Sequence, residues 1–150
     1  METNFPDRPL IGLLLRLVYQ HYAQDIDAAL RDAGFDGIRP PHANVFPFVP
    51  ADGIQVSELA QLARVRKQTM AQAVEQLERA GYVERRPNPR DGRSRLVFLT
   101  ERGESVRPVT HGAAERVEER WAELTSPEEI EALRASLQHL LTQLRSEPEE

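Results

Sequence analysis

The chain has 150 residues, 40% of them hydrophobic, with no cysteine and a formal net charge of −5. That length and apolar content suffice for one soluble domain with its own core, read as spanning residues 1–150. The lack of cysteine excludes disulfides, thiolate catalysis and thiol-based redox sensing, and no apolar run approaches the roughly 18 residues that a membrane helix needs.

The first nine residues, METNFPDRP, carry no basic region ahead of an apolar one, so a secretory signal is not expected and the protein is read as cytoplasmic. Residues 9–33 form a long helix pattern. Leu10, Leu14 and Leu17 share one stripe, while Leu13, Leu15 and Val18 lie off it. A helix that is apolar nearly all round is covered from two directions, and in a chain this short a second subunit is the expected second cover. Gly34, Gly37, Pro40 and Pro41 end this helix. His42–Val49 reads as a brief or kinked helix, because Pro47 cannot continue one.

The stretch from Val56 to Thr100 organises the rest. Val56, Leu59, Ala60 and Ala63 recur at helical spacing, a break follows near Arg64, and Met70, Ala73, Val74 and Leu77 make the stripe of a second helix. Gln68, Gln72, Gln76 and Arg79 fall on its other side, and Gly81 is placed to stop it. A strand is expected over Tyr82–Arg86, a basic loop over Pro87–Arg93 with Asp91-Gly92 as its turn pair, and a second strand over Arg95–Thr100. Helix, turn, helix, hairpin is the order of a winged helix-turn-helix, here over about residues 54–102, a module that puts one helix into a DNA major groove.

Beyond the wing, Glu104–Glu123 is helical, with Val106, Val109, Ala113, Val117 and Trp121 on one face. Ser126-Pro127-Glu128-Glu129 is a helix start, with Ser as N-cap, Pro first and Glu129 completing a capping box. The last helix runs to about Ser146 and carries Ile130, Leu133, Leu137, Leu140, Leu141 and Leu144. Pro148-Glu149-Glu150 is read as a frayed acidic tail. The fold class is therefore mainly α with a small β-hairpin wing, flanked by N- and C-terminal helices at about residues 9–33 and 104–146.

Charge separates the wing region from the rest. Arg64 to Arg102 holds ten basic residues against Glu75, Glu78, Glu84, Asp91 and Glu101, so it carries +5 and the remainder carries −10. A basic block inside an acidic protein marks a polyanion partner met by one face. Val56 and Ser57 open the first helix of the pair and offer backbone N–H groups to phosphate. Arg66, Lys67, Gln68, Thr69 and Gln72 line the start and exposed face of the second. Because Gln pairs with adenine and Arg with guanine, Arg66, Gln68 and Gln72 are the base-reading candidates. Arg93 is the candidate for the minor groove, with Arg90 and Arg95 beside it, and Arg85 and Arg86 stand on the flanking strand with a phosphate contact or none.

Leu59-Ala60, Gln68-Thr69, the run Leu77-Glu78-Arg79-Ala80-Gly81-Tyr82-Val83-Glu84-Arg85, Asp91-Gly92-Arg93 and Leu99-Thr100-Glu101-Arg102-Gly103 stand in the order that resembles the core of a MarR-family transcriptional regulator. The departures are Arg66 and Gln55, which sit where a capping Ser, Thr or Asp is usual. The resemblance implies a homodimer held by its terminal helices on a pseudo-palindromic operator in double-stranded DNA, acting as a repressor. It implies that Asp91 holds the guanidinium of Arg93. It also implies control by a small aromatic or phenolic ligand between the terminal helices and the DNA-binding lobe, for which His21, His42, Phe46 and Phe48 are the candidates. The alternative is a protein-interaction module that uses a winged helix without reading DNA.

An enzyme has little to stand on. There is no Gly-rich phosphate loop and no Ser/His/Asp grouping, no cofactor is implied, and His21, His42, His111 and His139 are scattered singly, so no metal site is assigned.

Overall fold

The computed structural model describes residues 6–148, without the Pro40 side chain; the N-terminal residues 1–5 and the Glu149-Glu150 end of the expected acidic tail lie outside the described residues. The order of elements is α1 (Ile11–Asp32), a 3-10 helix (Pro40–Asn44), α2 (Val56–Ala63), α3 (Lys67–Arg79), β1 (Val83–Asn88), β2 (Asp91–Leu99), α4 (Glu101–Leu124) and α5 (Pro127–Ser146). The helix expected over residues 9–33 is α1. Helix α4 begins three residues earlier than the apolar stripe placed it and runs through Pro108, whose missing N–H the helix tolerates.

The contacts divide the chain into two compact units, residues 1–111 and 112–150. The core of the first is made by α2 and α3 with the segments around them. Val45, Leu59, Val74, Leu77, Tyr82, Val97 and Val106 are all 0% exposed. The α3 stripe read from the sequence, Met70, Ala73, Val74 and Leu77, is the buried face of that helix. The brief helix expected over His42–Val49 is a 3-10 helix over Pro40–Asn44, followed by turns through Phe48. They place Val45, Phe46 and Val49 in this core. Arg107 fixes the segment from α4, donating to the carbonyls of Phe46 at 3.1 Å and Val49 at 2.5 Å.

Helix α1 ends as Gly34 enters the left-handed region at φ 84°, and Phe35 N–H reaches back to the Leu30 carbonyl at 2.9 Å. Only Leu30 of α1 is buried. Ile11, Leu14, Leu15, Val18 and Tyr19 are exposed, so within one chain α1 is covered on one side at most.

In the second unit, Arg134 of α5 pairs with Glu118 of α4 at 2.5 Å. Ser126 caps α5 as expected, accepting the Glu129 N–H at 3.1 Å. Helix α5 buries no residue, and Leu133, Leu137, Leu140, Leu141 and Leu144 are each at least 40% exposed. Ser126→Ala removes the partner of that N–H and is expected to cost about 1 kcal/mol of α5 stability, read as faster amide exchange in the first turn of α5.

Candidate nucleic-acid interface

Helices α2 and α3 are joined by a short left-handed turn. Arg64 adopts φ 54° and ψ 45° and caps α2 through its backbone N–H. Neither Gln55 nor Arg66 makes a side-chain cap, as their residue types led one to expect, so the first N–H groups of both helices are open. Val56 and Ser57 are half-buried at the start of α2, and Arg66, Lys67, Gln68, Thr69 and Gln72 are all exposed on α3. Gln68, Thr69 and Gln72 lie on the side of α3 away from the buried stripe, and Arg66 and Lys67 stand at its N-terminal end. Gln76, one turn beyond Gln72, is already engaged: its Oε1 lies 2.7 Å from His42 Nε2.

The wing differs from the sequence reading at its tip. The strands run two residues beyond Arg86 and begin at Asp91, so the turn is Pro89-Arg90 and not Asp91-Gly92. Gly92 does not adopt positive φ, so the tip makes no use of the conformational freedom of glycine there. Register jumps from Pro87↔Arg95 to Asn88↔Asp91. Side chains supply the missing order there. Asn88 Oδ1 accepts the Arg90 N–H at 3.0 Å, Asn88 Nδ2 donates to Ser94 Oγ at 3.1 Å, and Ser94 Oγ donates to the Asp91 carbonyl at 3.2 Å. Asp91 Oδ1 accepts the backbone N–H of Arg93 at 3.1 Å, so it shapes the loop and does not hold the guanidinium as the resemblance implied. Asn88 and Ser94 were missed; an Asn before Pro is a turn signal that could have found the first of them. A further pairing that periodicity did not show joins Ile54 to Val97, so the wing is fastened to the segment ahead of α2.

Ion pairing then sorts the basic residues. Glu75 takes Arg79, Glu78 takes Arg85 at 2.8 Å, and Glu84 takes Arg86. Hydrogen bonds from Arg85 hold the Glu78 carboxyl below the usual carboxylate range. Arg86 also lies over the Phe98 ring at 4.4 Å, so any phosphate contact it makes competes with an existing ion pair. Arg95 donates to the Arg85 carbonyl at 3.3 Å. Arg102 donates to the Ala80 carbonyl at 3.0 Å and to Tyr82 Oη at 3.1 Å. Among the described residues, no carboxylate pairs with Arg64, Arg66, Lys67, Arg90 or Arg93. Arg95 and Arg102 bond only to neutral oxygens, so the uncompensated charge of the lobe lies at the turn and start of α3, along the wing and at Arg102 at the start of α4.

Residues 37–94, which span the helix-turn-helix and most of the wing, match a sequence model described as the MarR family. The chain is also 30% identical over 96 residues to the transcriptional regulator HosA of Escherichia coli O111:H-, covering 64% of this chain and 71% of HosA. The chain belongs to the MarR family. Its fold is similar to a crystal structure of MarR, with a TM-score of 0.76 and 26% identity over 93% of this chain and 100% of that one. A MepR variant of S. aureus bound to an oligodeoxyribonucleotide shares the fold at 20% identity and a TM-score of 0.59, over 91% of this chain and 99% of that one. This MarR-family protein is accordingly a winged-helix transcriptional regulator and not an enzyme.

The four ligand candidates in this MarR-family protein do not form one site. His42 is 2% exposed, and both ring nitrogens are engaged. Its Nδ1 accepts the Arg39 N–H at 2.9 Å, which leaves the proton on Nε2 to be donated to Gln76. Phe46 is 6% exposed and meets the Tyr82 ring edge-on at 6.1 Å, and Phe48 packs on the same core. His21 is exposed on α1. An apolar cleft of about 50 Å³ does open between α1 and residues 38–43, lined by Tyr19, Tyr22, Ile26, Leu30, Ile38 and Arg39 among others. None of the four candidates lines it. No group of three His, Cys, Asp or Glu residues that could hold a metal ion occurs among the described residues, and no helix there is long and apolar enough to cross a membrane.

Proposed function

We propose that this MarR-family regulator acts as a homodimer that reads a pseudo-palindromic operator in double-stranded DNA and represses transcription there. One observation supports the reading above others. Internal carboxylates neutralise Arg79, Arg85 and Arg86, while the cations at the start of α3 and the wing tip stay unpaired among the described residues. Cations left without a carboxylate partner on the reading helix and on the wing are available to duplex phosphates. The DNA-bound MepR variant, which shares the fold, is consistent with the same use of the lobe here. Two copies related by a two-fold axis would want half-sites about 10 base pairs apart.

Arg93 and Gln68 are expected to fail differently. Arg93 is exposed on the wing, with its backbone pinned by Asp91. In a narrow minor groove its contact depends on charge and groove width. Arg93→Ala is expected to weaken binding to operator and random duplex alike and to lower the salt slope by about 1 per subunit. Gln68→Ala is expected to leave the slope unchanged and to relax preference at one base pair of each half-site by about 1–3 kcal/mol. Titrations of cognate, base-swapped and random duplexes at several salt concentrations measure both. Salt-insensitive behaviour of the wild-type protein would instead favour an interaction module.

Ligand control is proposed at the α1 cleft. Its volume of about 50 Å³ is well below the roughly 300 Å³ of ordinary ligand pockets, so a small aromatic acid must open it, with Arg39 available to its carboxylate. The segment that moves carries His42, which is bonded to Gln76 of α3, and this gives the ligand a route to the reading helix. A panel of phenolic acids that changes neither melting temperature nor DNA affinity would count against it.

A further inference from the structure

Five described residues sit at positive φ: Gly34, Gly37, Gly53, Gly81 and Arg64. Four of these positions carry the residue that has no Cβ to clash there, and the fifth carries one of the longest side chains available. The conformation at Arg64 is enforced by its surroundings. Arg64 N–H donates to the Gln61 carbonyl at 3.2 Å, and Val65 N–H donates to the Ala60 carbonyl at 3.0 Å. Strain of this kind persists where a side chain has a use that glycine cannot supply. Packing is not that use, because Arg64 is exposed. Internal ion pairing is not that use either, because no carboxylate pairs with Arg64 among the described residues, whereas Arg79, Arg85 and Arg86 are each paired. The remaining property is an unshared positive charge in the turn that leads into α3, two residues before Arg66 and three before Lys67, all three exposed.

We propose that Arg64 is a phosphate-contacting residue of the helix-turn-helix turn, which fixes the seating of α3 on the duplex, and that its left-handed strain is kept for that contact. The inference rests on the DNA-binding reading above and adds to it a residue outside the α3 face and the wing. Its signature is a pair of opposite effects. Arg64→Gly removes the strain together with the charge. The variant is expected to melt no lower than wild type, and up to about 2–4 °C higher. At 0.1 M salt it is expected to bind a random duplex roughly tenfold more weakly, with a salt slope lower by about 1 per subunit. Arg64→Lys keeps the charge and is expected to restore the slope.

The measurements are thermal melting and duplex titration of the full chain at several salt concentrations. An Arg64→Gly variant with wild-type affinity and slope overturns the inference while leaving the DNA-binding reading intact. A variant that melts lower than wild type overturns it as well, since weaker binding would then come from a loosened turn. If the wild-type protein itself shows no salt-dependent duplex binding, the DNA-binding reading falls first.

Discussion

Gly103→Ala is expected to lower the melting temperature by roughly 6–12 °C, about 3 kcal/mol for a chain of this size. A Cβ at Gly103 would lie 2.1 Å from the Tyr82 carbonyl oxygen and 3.3 Å from Leu99 Cβ. The atom in the way is backbone, and it is held from several sides. Tyr82 O accepts the Thr100 N–H at 3.0 Å, Tyr82 is 0% exposed, and its hydroxyl donates to the Asp36 carbonyl at 2.6 Å. Thr100 Oγ1 ties the same corner together, donating to the Gly81 carbonyl at 2.6 Å and accepting the Gly103 N–H at 3.1 Å. The start of α4 therefore cannot back away without parting β1 from β2. Gly112→Ala, in the same helix, is the control. The nearest atom there is the end of the Arg116 side chain at 3.4 Å, which can swing aside. That substitution is expected to be neutral or to stabilise by up to about 1 kcal/mol, because alanine favours a helix interior. Equal melting shifts for the two variants would show that the close approach at Gly103 is not what holds the corner.

Leu137→Asp is expected to convert the protein from dimer to monomer at tens of micromolar. Leu137 is 40% exposed on α5, a helix with no buried residue. Within one chain the substitution therefore costs little. Across a proposed two-fold interface it puts a charge, and its symmetry mate, into an apolar seam, at about 3 kcal/mol or more and thus ~100-fold or more in the dimer dissociation constant. Leu14→Asp on α1, where Leu14 is 38% exposed, is expected to act in the same direction. Light scattering reads the mass, and duplex titration should show operator affinity lost with the dimer. A wild-type chain that is already monomeric at tens of micromolar rules out the dimer, and with it the pseudo-palindromic operator.

Much of this protein is determined by its sequence alone, wherever local rules and burial agree. The α3 stripe of Met70, Ala73, Val74 and Leu77 could be read because period 3.6 matches a helix that buries one face. The stop at Gly81 and the cap at Ser126 could be read because left-handed backbone and orphan N–H groups each select a few residue types. The basic character of the lobe needed only a count of charges.

Only the tertiary structure decided which of those charges are available. Glu78 reaches Arg85 across seven residues, from helix to strand, and a residue count cannot say that this pair neutralises itself while Arg93 does not. The same holds at the wing tip. Asp91-Gly92 is a sound turn signal locally, but Asn88, Ser94 and Asp91 together set the turn at Pro89-Arg90 through side-chain hydrogen bonds that span the irregular register. His42 is a ligand candidate by sequence, but both of its nitrogens are used, one by Arg39 and one by a glutamine 34 residues away. In each case a partner distant in sequence completes a polar group that the local chain leaves open, and no periodicity records such a partner.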